Sequence, residues 1–124
     1  MTPKNKVKNF LYEKESYAIR GACFEVWKEF KGVFKESIVD RALTIALRSR
    51  GLKVESQKRI DIYFQGEKVG TYVPDKIVNN SILIELKAKP FLTRGDIEQF
   101  WKYLKGSEYK LSFLINFSPK KLEI

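Results

Sequence analysis

The six residues Ile82-Leu83-Ile84-Glu85-Leu86-Lys87 constrain this chain more than any other stretch. A run this short and this apolar reads as a central strand of a sheet. Period-two geometry sets Glu85 and Lys87 on one face with Leu83, and Ile82, Ile84 and Leu86 on the other. A carboxylate and an amine therefore project together from the interior of the fold.

The flanking sequence says what kind of sheet this is. Ile19, Ala22, Cys23, Val26 and Phe30 follow helical spacing, which predicts a helix from about Tyr12 to Phe30. A second helix, about Glu36 to Arg50, should close at Gly51 in a left-handed cap. Alternation of Ile60, Ile62 and Phe64 with Asp61, Tyr63 and Gln65 predicts a hairpin around Gln65-Gly66-Glu67-Lys68, its second arm running through Val69 and Tyr72 towards Pro74-Asp75. Asn79-Asn80 marks another tight turn, Leu52 to Glu55 a short strand, and Leu111 to Phe117 the last long one. Thr93 is the expected cap of a third helix carrying Ile97, Phe100, Trp101 and Leu104 on one stripe and ending at Lys105-Gly106. The order predicts an α/β fold with a mixed central sheet flanked by helices. Residues 12–124 are read as one domain, preceded by a basic arm, residues 1–11, with Lys4, Lys6 and Lys8.

At 124 residues the chain can bury a core of its own. Its 24 Lys and Arg against 15 Asp and Glu leave a net charge of +9, which favours a polyanion such as nucleic acid, though a basic surface also serves solubility. Phosphate contacts would come from the arm and from Arg48, Arg50, Lys58, Arg59, Arg94, Lys102, Lys120 and Lys121. There is no histidine, so imidazole acid/base chemistry, Ser-His or Cys-His nucleophiles and His-ligated zinc are excluded. Cys23, the only cysteine, reads as a small buried hydrophobe. No run approaches a membrane span and the N-terminus lacks a signal-peptide core, so a cytoplasmic protein is expected.

Chemistry is left to carboxylates, lysines and oxygen-held metals. Antiparallel pairing across the Asn79-Asn80 turn can bring Asp75 beside Glu85. Two close acids repel unless a cation lies between them, and hard oxygen ligands select Mg2+ or Mn2+. Lys87 could orient or deprotonate a metal-bound water. The same spacing also fits a salt bridge between strands. Glu36 and Asp40 continue the buried stripe of Leu43 and Leu47, so either could join the site, although acids in a first helical turn also suit the macrodipole. Glu25, on the first helix, reads as structural or solvated. Phe100, Trp101, Phe113 and Phe117 read as packing, while Trp27 and Tyr72 stay open.

Pro74-Asp75, nine residues, then Glu85-Leu86-Lys87 is the PD-(D/E)XK pattern. With Gly21-Ala22-Cys23-Phe24-Glu25-Val26-Trp27-Lys28-Glu29, Phe34-Lys35-Glu36-Ser37, Arg50-Gly51-Leu52-Lys53-Val54-Glu55, Gly66-Glu67-Lys68-Val69-Gly70 and Leu114-Ile115-Asn116-Phe117, it resembles the small prokaryotic family named for a Gly-x-x-Glu-x-x-Tyr signature, over about residues 17 to 124. The signature glycine and tyrosine stand as Val33 and Val39. The resemblance implies a restriction-endonuclease-like core and a Mg2+- or Mn2+-dependent nuclease. It implies Asp75, Glu85 and the Leu86 carbonyl as metal ligands, Glu36 as the helix acid, Lys87 as the catalytic lysine, and Gln99 with Tyr103 on the following helix. The expected partner is nucleic acid, DNA first, with a homodimer or a protein partner to help select the target. The rival reading is a non-catalytic nucleic-acid-binding or partner-binding module that keeps the fold.

Overall fold

The computed structural model describes residues 12–32 and 35–124. The basic arm and the signature position Val33 lie outside the described residues. Helix α1 spans Glu13–Phe30 and buries Ile19, Ala22, Cys23 and Val26, the stripe expected from spacing. Its end is a left-handed Lys31, followed by Gly32 at φ +75, where a Cβ would stand 2.4 Å from the Phe117 carbonyl oxygen. Only glycine allows the chain to turn that close to another backbone. Helix α2, Glu36–Ser49, buries Val39, Leu43, Ala46 and Leu47, and Gly51 follows at φ +82 as expected.

The first strand forms two residues later than its sequence suggests, as β1, Val54–Ser56. The Leu52 amide is taken by the end of α2, donating to the Leu47 carbonyl, and the Lys53 amide donates to the Asn79 side chain. The hairpin then forms as β2, Ile60–Phe64, and β3, Glu67–Tyr72, with Gln65 and Gly66 both at positive φ. It pairs only with itself, so it is a second, two-stranded sheet and not part of the central one. Its second arm stops at Tyr72, and Val73-Pro74-Asp75 breaks the chain before β4, Lys76–Val78.

Strand β5, Ile82–Lys87, is central as expected. It pairs antiparallel with β4 and parallel with β6, Leu111–Phe117, and the five-stranded order is completed by β1 outside β4 and by β7, Leu122–Glu123, outside β6. Ile82, Ile84 and Leu86 join Phe113, Ile115, Phe117 and the buried stripes of α1 and α2 in the main core. On the opposite face Leu83 and Ile77 pack with Ile60 of the hairpin, beside Ile62, Tyr72 and Tyr109. Each face of β5 thus belongs to a different core, as the parity of its residues requires.

Helix α3, Arg94–Gly106, starts in the expected capping box, Thr93 accepting from the Asp96 amide and Asp96 from the Thr93 amide. It buries none of its residues. Phe113 and Phe117 are packed as expected, but Trp101 is 54% exposed and Ile97 43% exposed, so that part of the stripe is surface and not core. Periodicity states which side of a helix is apolar; it does not bring a neighbour to cover it. Cys23 is buried and free, its thiol pushed up to about 12 chiefly by burial. Among the described residues no helix is long and apolar enough to cross a membrane.

Candidate active site

The β4–β5 register pairs Lys76 with Ile84, and one step further it sets Asp75 opposite Glu85. The two residues are tied crosswise. The Asp75 amide donates to Glu85 Oε1 at 2.9 Å, and the Leu86 amide donates to Asp75 Oδ2 at 2.7 Å. Pro74 explains why the ladder yields to side chains here, because it stands opposite Leu86 in the extended register and has no amide hydrogen for the Leu86 carbonyl. Each carboxyl is therefore aimed by the backbone that carries the other.

Further donors hold the pair. The Tyr72 hydroxyl faces Glu85, and the Gln57 side chain faces Asp75. Tyr72 is in turn stacked on Tyr103 of α3, centroids 3.9 Å apart and planes within 5°. Burial raises the pKa of both Asp75 and Glu85 above the ordinary carboxylate range, against the lowering effect of these hydrogen bonds and of the nearby Lys87 charge. Glu36, in the first turn of α2, is raised as well, by partial burial and then by the Asp75 charge, with Lys87 opposing. Asp75, Glu85, Glu36 and Lys87 thus share one electrostatic neighbourhood, while Gln99 is exposed on α3, one turn from Tyr103. Tyr72 is the contact that sequence reasoning left open, and its place two residues before Pro74, at the end of a hairpin arm, is the signal that points to it.

Asp40 is committed elsewhere. It forms an ion pair with Lys76, whose side chain is 0% exposed and points to the α2 side of the sheet, opposite to Asp75. Burial pulls the Lys76 pKa down to about 8, and the ion pair with Asp40 gives the buried amine a carboxylate partner. Glu25 pairs with Arg50 at 2.7 Å on the surface. Other cations proposed for phosphate contact are also engaged: Arg48 donates to the Val54 carbonyl, Lys58 faces Glu55, and Arg94 faces Glu98. Trp27 is an anchor, its indole N–H donating to the Ser118 carbonyl at 2.8 Å.

Past Lys87 the chain is fastened by Asn116, which is 0% exposed. Its Oδ1 accepts from the Lys89 amide at 3.0 Å, and its Nδ2 donates to the Lys89 carbonyl and to Glu123 Oε1. Glu123 Oε1 also accepts from the Leu92 amide at 3.1 Å. Lys87 pairs with Asn116 in the parallel ladder, so the lysine, the loop after it and β7 share one anchor.

Among the described residues no three acidic, histidine or cysteine side chains gather as a metal cage. The cluster offers two carboxylates, each with acceptor capacity beyond its amide bond, and a carbonyl that Pro74 cannot bond. An all-oxygen set of this kind, completed by solvent and phosphate oxygens, suits Mg2+ or Mn2+.

A mixed five-stranded sheet with helices, bearing Asp75, Glu85 and Lys87 together at its centre, is consistent with a restriction-endonuclease-like core. The profile of the PD-(D/E)XK nuclease superfamily matches residues 13–124, and the chain belongs to that superfamily. No curated protein and no solved structure matches it.

Proposed function

We propose that this chain is a divalent-metal-dependent nuclease that hydrolyses phosphodiester bonds of DNA, with residues 12–124 as one nuclease domain acting in the cytoplasm. The observation that carries the reading is the crossed pair of amide bonds between Asp75 and the Glu85-Leu86 segment. It fixes two partly buried carboxylates side by side where their burial already raises their pKa, an arrangement a cation would relieve. Asp75, Glu85 and the Leu86 carbonyl would hold Mg2+ or Mn2+, with Glu36 assisting. The ion would supply Lewis-acid polarisation of the phosphate and a more acidic water.

The chain's own groups do the rest. Lys87 projects from β5 on the Glu85 face, where its ammonium offsets charge on the phosphate and orients the attacking water. Tyr72 and Gln57 hold the two carboxylates in place, and Gln99 on α3 would reach the water or a phosphate oxygen. The segments shared with the Gly-x-x-Glu-x-x-Tyr family, and Glu36 at its acid position, support placement in that family. The +9 charge supports nucleic acid as the partner.

Cleavage of linear, nicked, branched and single-stranded DNA, in chelator and in millimolar Mg2+, tests the reading. Wild type should cut only with metal, and Lys87→Ala should still bind DNA while cutting at least ~100-fold more slowly. Equal cleavage by both would refute the role of Lys87. Binding without cleavage by either would favour a module that keeps the fold and not the chemistry.

A further inference from the structure

Strand β7 covers only Asn116 and Phe117 of β6, so among the described residues no strand pairs with the outer edge of residues 111–115. A groove of about 610 Å³ runs along that edge between α1 and α3. Its walls carry Ile97, Phe100 and Trp101 from α3 and Phe113 from β6, and its cations are Arg20 and Lys110. Among the described residues that line it there is no Asp or Glu. Trp101, more than half exposed, is the largest apolar surface in the groove, and the Arg20 guanidinium lies 5.5 Å from the Phe113 ring centroid. An uncovered apolar groove of this kind calls for an occupant.

Charge selects among the occupants. A second copy would bring another +9 and the same two cations to the contact, which opposes self-association. A single nucleic-acid strand matches both features at once, because its phosphates answer Arg20 and Lys110 and its bases offer flat faces to Trp101 and Phe100. The groove is tied to the segment that follows Lys87 through Leu92. Leu92 and Ile124 line one end of it, and the Leu92 amide bonds to Glu123, which Asn116 bonds beside Lys87 in the ladder.

We propose that this groove is a track for single-stranded nucleic acid, holding the strand next to the site so that the enzyme prefers substrates with an unpaired segment. The proposal rests on the nuclease reading for its purpose, but the binding itself needs neither metal nor catalysis. The assay is therefore a titration of the protein with oligothymidylate in chelator, followed by tryptophan fluorescence. The chain has two tryptophans, and Trp27, bonded to Ser118, is not among the residues that line the groove, so the reporters can be separated.

Wild type and Trp27→Phe should both be quenched on binding. Trp101→Phe should lose the quench, and Trp101→Ala should weaken binding about 10-fold by an anisotropy titration of labelled oligothymidylate. Arg20→Ala and Lys110→Ala should each flatten the dependence of log affinity on log salt by ~0.7. Because every titration is run in chelator, the result does not depend on whether cleavage is found. Trp101→Ala binding oligothymidylate as well as wild type, with a circular dichroism spectrum showing it folded, would overturn the proposal. So would sedimentation showing a dimer that Trp101→Ala dissociates, which would make the groove a face for a second copy. Quenching by an acidic peptide in place of oligothymidylate would overturn it in favour of a protein partner.

Discussion

Removing Asp40 should expose how the fold handles its most deeply buried charge. Lys76 is 0% exposed, whereas the Asp40 side chain it pairs with is 29% exposed. Taking the partner away from a buried charge costs about 3–5 kcal/mol, and the partial exposure of Asp40 argues for the lower end. At roughly 2.1 cal/mol/K of unfolding entropy per residue, about 260 cal/mol/K for 124 residues, a loss of ~3 kcal/mol lowers Tm by ~12 °C. The sign with pH follows from Lys76, whose folded pKa lies at about 8, below the 10.5 of the exposed amine. The unfolded chain binds more protons across that window, so stability rises with pH there. A buried amine without a carboxylate beside it is harder to protonate than one with it, so the deficit of Asp40→Ala should be largest on the acid side and shrink as pH rises towards about 8, levelling off above it. Lys76→Met leaves only a half-solvated carboxylate behind and should be milder, and Asp40→Leu with Lys76→Met should be as stable as wild type or more so. Urea melts at pH 6 and pH 9 measure all of this. A loss under ~1 kcal/mol for Asp40→Ala at pH 6, or the same loss at both pH values, would refute a buried ammonium in need of its partner.

Two more outcomes follow from the site and the chain turns. In chelator at neutral pH, Asp75→Asn should melt at or above the wild-type temperature, because burial raises the Asp75 pKa and its ionised form therefore opposes folding once pH exceeds the unfolded value. The gain should vanish on acidification, millimolar Mg2+ should raise Tm for wild type far more than for the variant, and a variant that melts lower in chelator would contradict the reasoning. Gly32→Ala meets the Phe117 carbonyl oxygen at 2.4 Å at φ +75, while Gly66→Ala at φ +82 meets nothing within 4 Å. The first should lose at least ~2 kcal/mol in a urea melt and the second only ~1–2, and equal losses would show that the close approach is not real.

Much of the site was legible because strand parity and a short turn are local rules. Glu85 and Lys87 share a face by period, and Asp75 meets Glu85 by the register that the Asn79-Asn80 turn sets. The long-range pairings were not legible. Nothing near Lys76 announces that it faces Asp40, since the ion pair exists only once α2 lies over β4. The hairpin was visible as a hairpin, but whether it extends the central sheet or lies across it depends on the break at Val73-Pro74-Asp75, which no alternation pattern encodes. The exposed side of α3 was misread for the same reason: Trp101 and Ile97 have core spacing and no core against them. Arg20 and Lys110 were passed over as phosphate contacts because their meeting in one groove depends on where α1 rests against β6.

The Asn116 side chain behaves as a borrowed peptide group. It presents an acceptor and a donor to the backbone of Lys89 in the sense a neighbouring strand would, and so prolongs the sheet by one rung where the strand itself has ended. That use depends on the direction of the amide. Deamidation to aspartate would change one atom, yet it would replace the donor facing the Lys89 carbonyl and Glu123 with a third negative oxygen and set two acids against each other in a closed space. That one-atom exchange would then release the loop that follows Lys87, unpin Leu92 from Glu123 and loosen the start of α3 together. The hold on the segment between Lys87 and α3 is in that sense written in the direction of one amide.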